Sequence, residues 1–336
     1  MLDILKHRKI NFIILSIFII FSLYFLIFSS KNYGIDMTGG TQSEYSYNNG
    51  NINLENIIKK LEDKKDEFNK INDNILNSIS VYQVTGEQKI VVEVGYNHIT
   101  DEIKGDKIKN NFKDLVSNLL LEDNPSFNLH KYTNIGQSFG EYIKKTAILT
   151  LAISLVGITI YVGYAFFGVT AGIPALSFAI IVLITQFIDV IVASGIYVFF
   201  GKFFLEFKVD TFFITALLTI LGYSINNTIV VFDRVRENIK KLLKTKKLYE
   251  IINISINESI KRSIYTSLTV IFVLITIFFA GPETLKGFML VMMIGVLFGI
   301  FSSLTIAGAL LYEFNKNKEL KIEKKVKLTA EDKIVV

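Results

Sequence analysis

The sequence predicts a polytopic α-helical membrane protein with six transmembrane helices and a ferredoxin-like α+β domain inserted between the first and the second. Three observations carry that class. Of the 336 residues, 51% are hydrophobic and only 20% are charged, and the mean hydropathy is +0.42, which is too apolar for an ordinary soluble chain of this length. The apolar residues gather in long uncharged runs, each near the length that crosses a hydrocarbon core of about 30 Å at about 1.5 Å per residue. Between the first two runs lies a polar segment whose apolar residues alternate or recur at helical spacing.

The elements follow in chain order. The first run, Ile10 to Phe28, comes after Lys6, Arg8 and Lys9. It exceeds the apolar region of a secretory leader and has no small-x-small cleavage site after it, so it reads as a retained anchor. In the segment from Ser30 to Lys145, "YGIDMTGGTQSEYSY" reads as strand and "LENIIKKLEDKKDEF" as an amphipathic helix. "ILNSISVYQVT" and "KIVVEVGY" read as two strands joined by a Gly86-Glu87 turn. A helix over 106–121 and a strand over 126–135 complete a βαββαβ order, for which the ferredoxin-like fold is the economical solution. The segment is long enough to bury a core of its own. From Thr146 to Gly201 the single formally charged residue is Asp189, and the stretch Gly168 to Pro174 supplies a turn that divides this region into two spans. Thr211 to Phe232, Ser263 to Pro282 and Gly287 to Tyr312 give the last three.

Lys and Arg concentrate in residues 1–9, in 233–262 and in the tail after Glu313, which places both termini in the cytoplasm and the α+β segment outside. The expected organisation is residues 1–30 for the N-terminus and first helix and 31–140 for the external domain. Residues 141–312 then hold helices two to six with a cytoplasmic loop at 233–262, and 313–336 form a Lys-rich tail. The net charge of +5 belongs to this topology. The lysines are interspersed with acids rather than striped with aromatics, so nucleic acid is not an expected partner, whereas membrane lipid is. There is no cysteine, which excludes disulfides and thiolate metal sites, and the three histidines form no ligand-like pair. Neither a metal, a cofactor nor an enzymatic activity is expected.

Several polar residues sit inside or at the ends of the apolar runs. Asp189 lies 15 positions past Pro174, deep in the hydrocarbon, where a carboxylate must be protonated, paired or wetted. Proton handling and neutral hydrogen bonding to a neighbouring helix are both open to it. Asn226 and Asn227 stand side by side. Thr215, Thr219, Gly222 and Asn226 share a helical stripe of the kind that packs membrane helices together. Arg262 keeps its charge at any relevant pH; it either snorkels to the cytoplasm or bonds acceptors such as Asn227. Asp233, Arg234, Arg236 and Glu237 fit a solvated helix end with local ion pairs. "GIDMTGGT", residues 34–41, has the glycines of a phosphate loop but no lysine and no strand-loop-helix setting, so a tight turn or close backbone approach accounts for it better than a nucleotide site.

Five stretches occur together in order: "GIDMTGGT" after the first helix, "IGQSFGEYIKKTAI" before the second, "LLTILGYSINNTIVVFDRVREN" in the fourth, "NISINESIKRSIYTSLT" entering the fifth and "GFMLVMMIGVLFGIFSS" in the sixth. With them the chain resembles the SecF family, the smaller membrane subunits of the SecDF accessory complex of bacterial protein secretion, within the resistance-nodulation-division superfamily. The matching positions are Gly34, Asp36, Gly39 and Gly40 in the first stretch and Gly222, Tyr223, Asp233, Arg234 and Arg236 in the third.

The resemblance implies a subunit in the cytoplasmic membrane that works with a SecD-like partner beside the SecYEG channel. There it helps translocating preproteins across, using the proton-motive force. It also marks departures. The family's Asn-Asp is Asn226-Asn227 here, so the carboxylate expected on the fourth helix is absent. Its fifth-helix arginine is kept as Arg262. Its His-Asp on the third helix is Ile188-Asp189, and the proline after the glycine before the second helix is Gln137. These departures lead to the expectation that Asn227 acts as a neutral acceptor for Arg262 and that the titrating acid belongs to the partner or, failing that, is Asp189. A structural subunit without its own proton coupling, and a superfamily exporter of small molecules or lipids, are the alternatives.

Overall fold

The computed structural model describes residues 3–318 apart from 30–31, 49–51, 73, 85–86, 98–101, 168–172 and 205–206. Gly86 of the expected hairpin turn, most of the Gly168–Pro174 turn and the Lys-rich tail past Lys318 lie outside the described residues. Among the described residues, six helical spans are long and apolar enough to cross a membrane. They are α1 (Arg8–Phe28, led by a 3-10 turn over Leu5–His7), α5 (Gln137–Ala165), α6 (Ala175–Phe203), α7 (Thr211–Leu242), α8 (Leu248–Ala280), and a composite span of α9 (Lys286–Phe301), a π-helical segment (Ser302–Ala307) and α10 (Gly308–Asn315). Between the first two spans come a one-turn helix α2 (Ile35–Thr38), β1 (Gly40–Ser46), α3 (Leu54–Ile71), β2 (Leu76–Gln83), β3 (Lys89–Tyr96), α4 (Glu102–Asp123) and β4 (Asn128–Ile135).

The stretch from 233 to 262, expected as a loop, is helix up to Leu242 and again from Leu248. The physical reason is that its apolar residues Val235, Ile239, Leu248, Ile251, Ile252 and Ile256 are all buried in one core cluster with Val231 and Phe232, so both helices run on beyond the apolar span. Spans α6, α7 and α9 form the centre of the bundle, while α1, α5 and α8 are far more exposed. Spans α1 and α6 cross at Ser22 and Gly195, where a β-carbon on Gly195 would lie 2.3 Å from Ser22 Cβ. Only a residue without a side chain lets the two backbones come so close.

The four strands form one antiparallel sheet in the order β2-β3-β1-β4, the ferredoxin-like arrangement. Its core follows the period of two: Ile90, Val92, Val94 and Tyr96 of β3 and Tyr45 of β1 meet Ile57, Leu61, Phe112, Val116 and Leu120 of α3 and α4. The other face, with Gln42, Glu44, Tyr82, Val91 and Glu93, looks onto the connection between α6 and α7 and bounds a cleft of about 400 Å³.

The first strand begins at Gly40 rather than at Tyr33. Gly39 has φ +72°, and a β-carbon there would sit 2.7 Å from Gln137 Cα, while one on Gly140 would sit 2.8 Å from Met37 O. The chain therefore makes one helical turn, reverses at Gly39 and Gly40, and packs tightly on the start of α5. This explains why glycine-rich stretches stand on either side of the domain.

Candidate functional site

A polar centre lies where α6, α7 and the π segment meet. Asp189 is fully buried; its Oδ2 accepts a short hydrogen bond from Ser224 of α7 and one of 3.0 Å from Ser302 at the first residue of the π segment. One turn away on α6, Gln186 is equally buried and donates Nε2 to Leu221 O at 2.9 Å. Asp189 Oδ1 and Gln186 Oε1 have no partner among the described residues. Ser302 opens a π-helical segment, a feature found at functional sites.

A second polar line runs along the seam of α7 and α8. Tyr223 Oη donates to Ser267 Oγ at 2.9 Å. The helices run antiparallel, so one turn on, Asn227 stands opposite Ser263. Both are 2% exposed, and Asn227 Nδ2 and Ser263 Oγ each lack a partner among the described residues. Further along, Asn238 Nδ2 donates to Ser255 Oγ at 3.0 Å and to Glu258 Oε2 at 2.8 Å. Asn227 and Arg262 share a level but not a face: Arg262 points outward from α8, and no hydrogen bond joins the two. The stripe of Thr215, Thr219, Gly222 and Asn226 is likewise exposed, and a β-carbon on Gly222 would meet nothing within 4 Å. Among the described residues it packs against no helix.

The remaining motif residues lie at the two ends of the bundle. Gly34 N donates to Val209 O at 3.0 Å, Val209 N to Asn32 O at 2.7 Å, and Thr211 Oγ1 to Asp36 Oδ2 at 3.0 Å. These bonds clip the start of the α+β domain onto the connection before α7. Beside them, Lys208 forms a buried ion pair with Glu93 of β3 and lies 4.3 Å from the centre of the Tyr82 ring. Burial pushes the Lys208 ammonium below the usual lysine range, against the pull of Glu93. Asp210 caps α7 by accepting from Phe213 N at 2.8 Å. Burial, with Asp36 as a nearby like charge, raises its carboxyl to about 6. At the opposite end Asp233 pairs with Arg236, Arg234 Nη1 donates to Glu237 at 2.7 Å, and Arg236 lies 5.4 Å from the Phe166 ring centre. These charges form a collar of local pairs where the helices leave the apolar zone.

Sequence reasoning missed Gln186, Ser224 and Ser302 as partners of Asp189, and Lys208 with Glu93. Gln186 carried a signal, an amide in an uncharged span; the serines carried none, because small hydroxyl residues are common in membrane helices.

The family described as "Protein export membrane protein SecD/SecF, C-terminal" matches residues 116–317. The protein translocase subunit SecF of Sebaldella termitidis is 31% identical over 318 residues, which cover 95% of this chain and 93% of that one. The SecF subunit of Thermobaculum terrenum is 32% identical over 325 residues, covering 96% of each. Among solved structures, the translocon-associated membrane protein SecDF of Thermus thermophilus superposes with a TM-score of 0.75 at 24% identity. That match covers 94% of this chain and 39% of the solved one, and at this identity it speaks for the fold.

Proposed function

The chain belongs to the SecD/SecF family of protein-export membrane proteins and is a multi-pass membrane protein; from that premise we propose that it serves as the SecF-type half of a translocase in the bacterial cytoplasmic membrane. In this reading a SecD-type half completes the transporter, both termini face the cytoplasm, and the α+β domain stands on the outer side, where it meets preproteins leaving a SecYEG channel. The proton-motive force drives the cycle.

The observation that carries the proposal is the outward polar face of α7 and α8. Thr215, Thr219, Gly222 and Asn226 of α7 are exposed, as are Arg262 and Thr266 of α8, the last two among exposed apolar residues such as Ile264, Leu268 and Phe272. Lipid cannot satisfy a guanidinium or an amide, so a second protein is the physically reasonable cover. The chain's length, about two-fifths of the solved SecDF chain, leaves room for such a half. Arg262 then finds its acceptor across that interface rather than in Asn227, and the main titrating acid belongs to the partner. Asn227 is a neutral group in the α7–α8 seam. The relatives' names, all translocase subunits, favour this reading over a small-molecule or lipid exporter.

The test is recovery of the tagged full chain from native membranes in mild detergent. The expected companion is a larger membrane protein with its own six apolar helices; recovery as a homo-oligomer alone would contradict the proposal.

A further inference from the structure

We infer that the outer edge of β2 binds an extended polypeptide segment by strand addition, recognising its backbone rather than its side chains. The inference deepens the reading above by naming where the external domain holds a passing polypeptide. It rests on that reading only for which polypeptide is held; the binding itself belongs to this chain.

β2 ends the sheet and pairs only with β3. Its hairpin fixes which amides face outward. Val84 N donates to Lys89 O at 3.0 Å, and opposed residues of antiparallel strands alternate between bonded and non-bonded pairs. Ser78, Ser80 and Tyr82 therefore turn their backbone groups to Gly95, Glu93 and Val91, while Ile79, Val81 and Gln83 turn theirs away from the sheet. No hydrogen bond among the described residues uses these outward groups. A row of N–H and C=O groups at every second residue has one natural complement, the backbone of another extended chain.

The edge also lacks the devices that keep strands apart. The stretch "LNSISVYQ", Leu76 to Gln83, holds no charge and no proline, and its one register shift, between Leu76 and Ser78, is confined to its start. β4, the opposite edge, carries His130 and Lys131 and shifts register midway along its pairing with β1. Charge and irregularity of that kind are how edges are guarded, so β2 is the open one. Beside it lies a cleft of about 680 Å³, lined by Asn77, Ser78, Ser80 and Asn97 at the end of the sheet and by Thr38 and Ser138 across from them. Alternate side chains of an added strand enter this cleft, whose small polar lining accepts many side chains and selects none. A second copy of this chain is a poorer occupant. The outward groups span Ile79 to Gln83, about 17 Å of strand, and so short an edge cannot bury the roughly 1,200 Å² that a stable pair of folded chains needs. A polypeptide that must keep moving needs only weak, reversible contact.

The experiment measures fluorescence anisotropy and hydrogen–deuterium exchange of the full chain in lipid discs. The probe is a short labelled peptide of alternating threonine and valine with a lysine at each end, set against the same peptide N-methylated along its length. The expected result is saturable binding of the first peptide, slower exchange at Ile79, Val81 and Gln83 but not along β4, and no binding of the second. Ile79→Pro removes one outward donor and leaves the β3 ladder intact, so it should weaken binding about five-fold; should that variant fail to fold, Gln83→Pro makes the same change at an exposed position. Equal binding of the N-methylated peptide, or protection that falls elsewhere, would overturn the site. So would edge amides already protected without peptide, or protected in step with the concentration of the chain itself, since a resident strand or a second copy would then own the edge. Loss of peptide binding while a SecD-type companion is still recovered sinks this site alone; binding with no such companion sinks the half-transporter reading alone.

Discussion

Replacing Lys208 by Met should release the α+β domain from the membrane helices without unfolding either. Lys208 and Glu93 are 6% and 8% exposed. Removing the ammonium strands a buried carboxylate, whose remaining donors are Gln42 Nε2 at 2.9 Å and Tyr82 Oη at 3.1 Å. Breaking a buried pair in this way costs about 3–5 kcal/mol, and the two neutral donors hold the figure near the lower end. Other bonds of the joint are Gly34 to Val209, Val209 to Asn32, Thr211 to Asp36, and Gln137 Nε2 to Tyr96 O at 2.6 Å. At about 1 kcal/mol each they contribute together about as much as the variant removes. The joint in Lys208→Met should therefore open for a large fraction of the time.

Spin labels on β4 and on the α8–α9 connection would read this as a broadened distance distribution. Lys208→Met combined with Glu93→Met should narrow it again, because an apolar pair of similar volume replaces a buried ion pair at little cost. In a polypeptide of residues 31–140 the same Glu93 faces water. There Glu93→Gln should shift stability by less than about 0.5 kcal/mol, in a cooperative melt with mixed α and β circular dichroism. Equal distance distributions for Lys208→Met and the unaltered chain, or no recovery in the double variant, would refute the reasoning.

Three further outcomes follow from the same geometry. Gly195→Val should separate α1 from α6, since even a β-carbon would lie 2.3 Å from Ser22; a loss of about 1–3 kcal/mol is expected from overpacking, read by thermal inactivation in detergent. The carboxyl of Asp210 is raised to about 6 by burial, so the closed joint holds that proton more tightly than an open one. Its contribution is present at low pH and is lost as pH rises from about 4 through about 6, and Asp210→Asn should flatten the profile of label distances over that range. In vesicles with a proton gradient, Arg262→Ala should abolish the gradient's stimulation of preprotein export, while Asn227→Ala, which removes an amide nitrogen that has no partner, should keep most of it.

The sequence made the architecture legible because its signals are strong and local. Uncharged runs of membrane length marked the six spans, and the β-branched run of "KIVVEVGY" marked β3, though not which of its faces meets the helices. The continuation of α7 and α8 past Phe232 was not legible, since the charges from Asp233 onward look like a loop when the burial of Val235, Ile239 and Ile256 is unknown.

Within the candidate site, depth could be read but direction could not. Counting from Pro174 located Asp189 in the interior, yet its partners Ser224 and Ser302 come from positions 35 and 113 residues away. Asn227 and Arg262 were matched in level, but a helix turns by about 100° per residue, and that rotation puts Ser263 in the seam and Arg262 outside it. Nor did a single lysine in a short connection announce that Lys208 reaches a sheet 115 residues away.

The central claim is that the exposed face of α7 and α8 is covered by a second, different half-transporter. It is tested most directly by placing a photo-cross-linker at Gly222 in the full chain, in native membranes, and identifying what is captured. The account predicts one main adduct, with a larger SecD-type membrane protein, and no adduct from the same probe at Ile160 on the exposed side of α5. Adducts only with lipid, or only with a second copy of this chain, would contradict it.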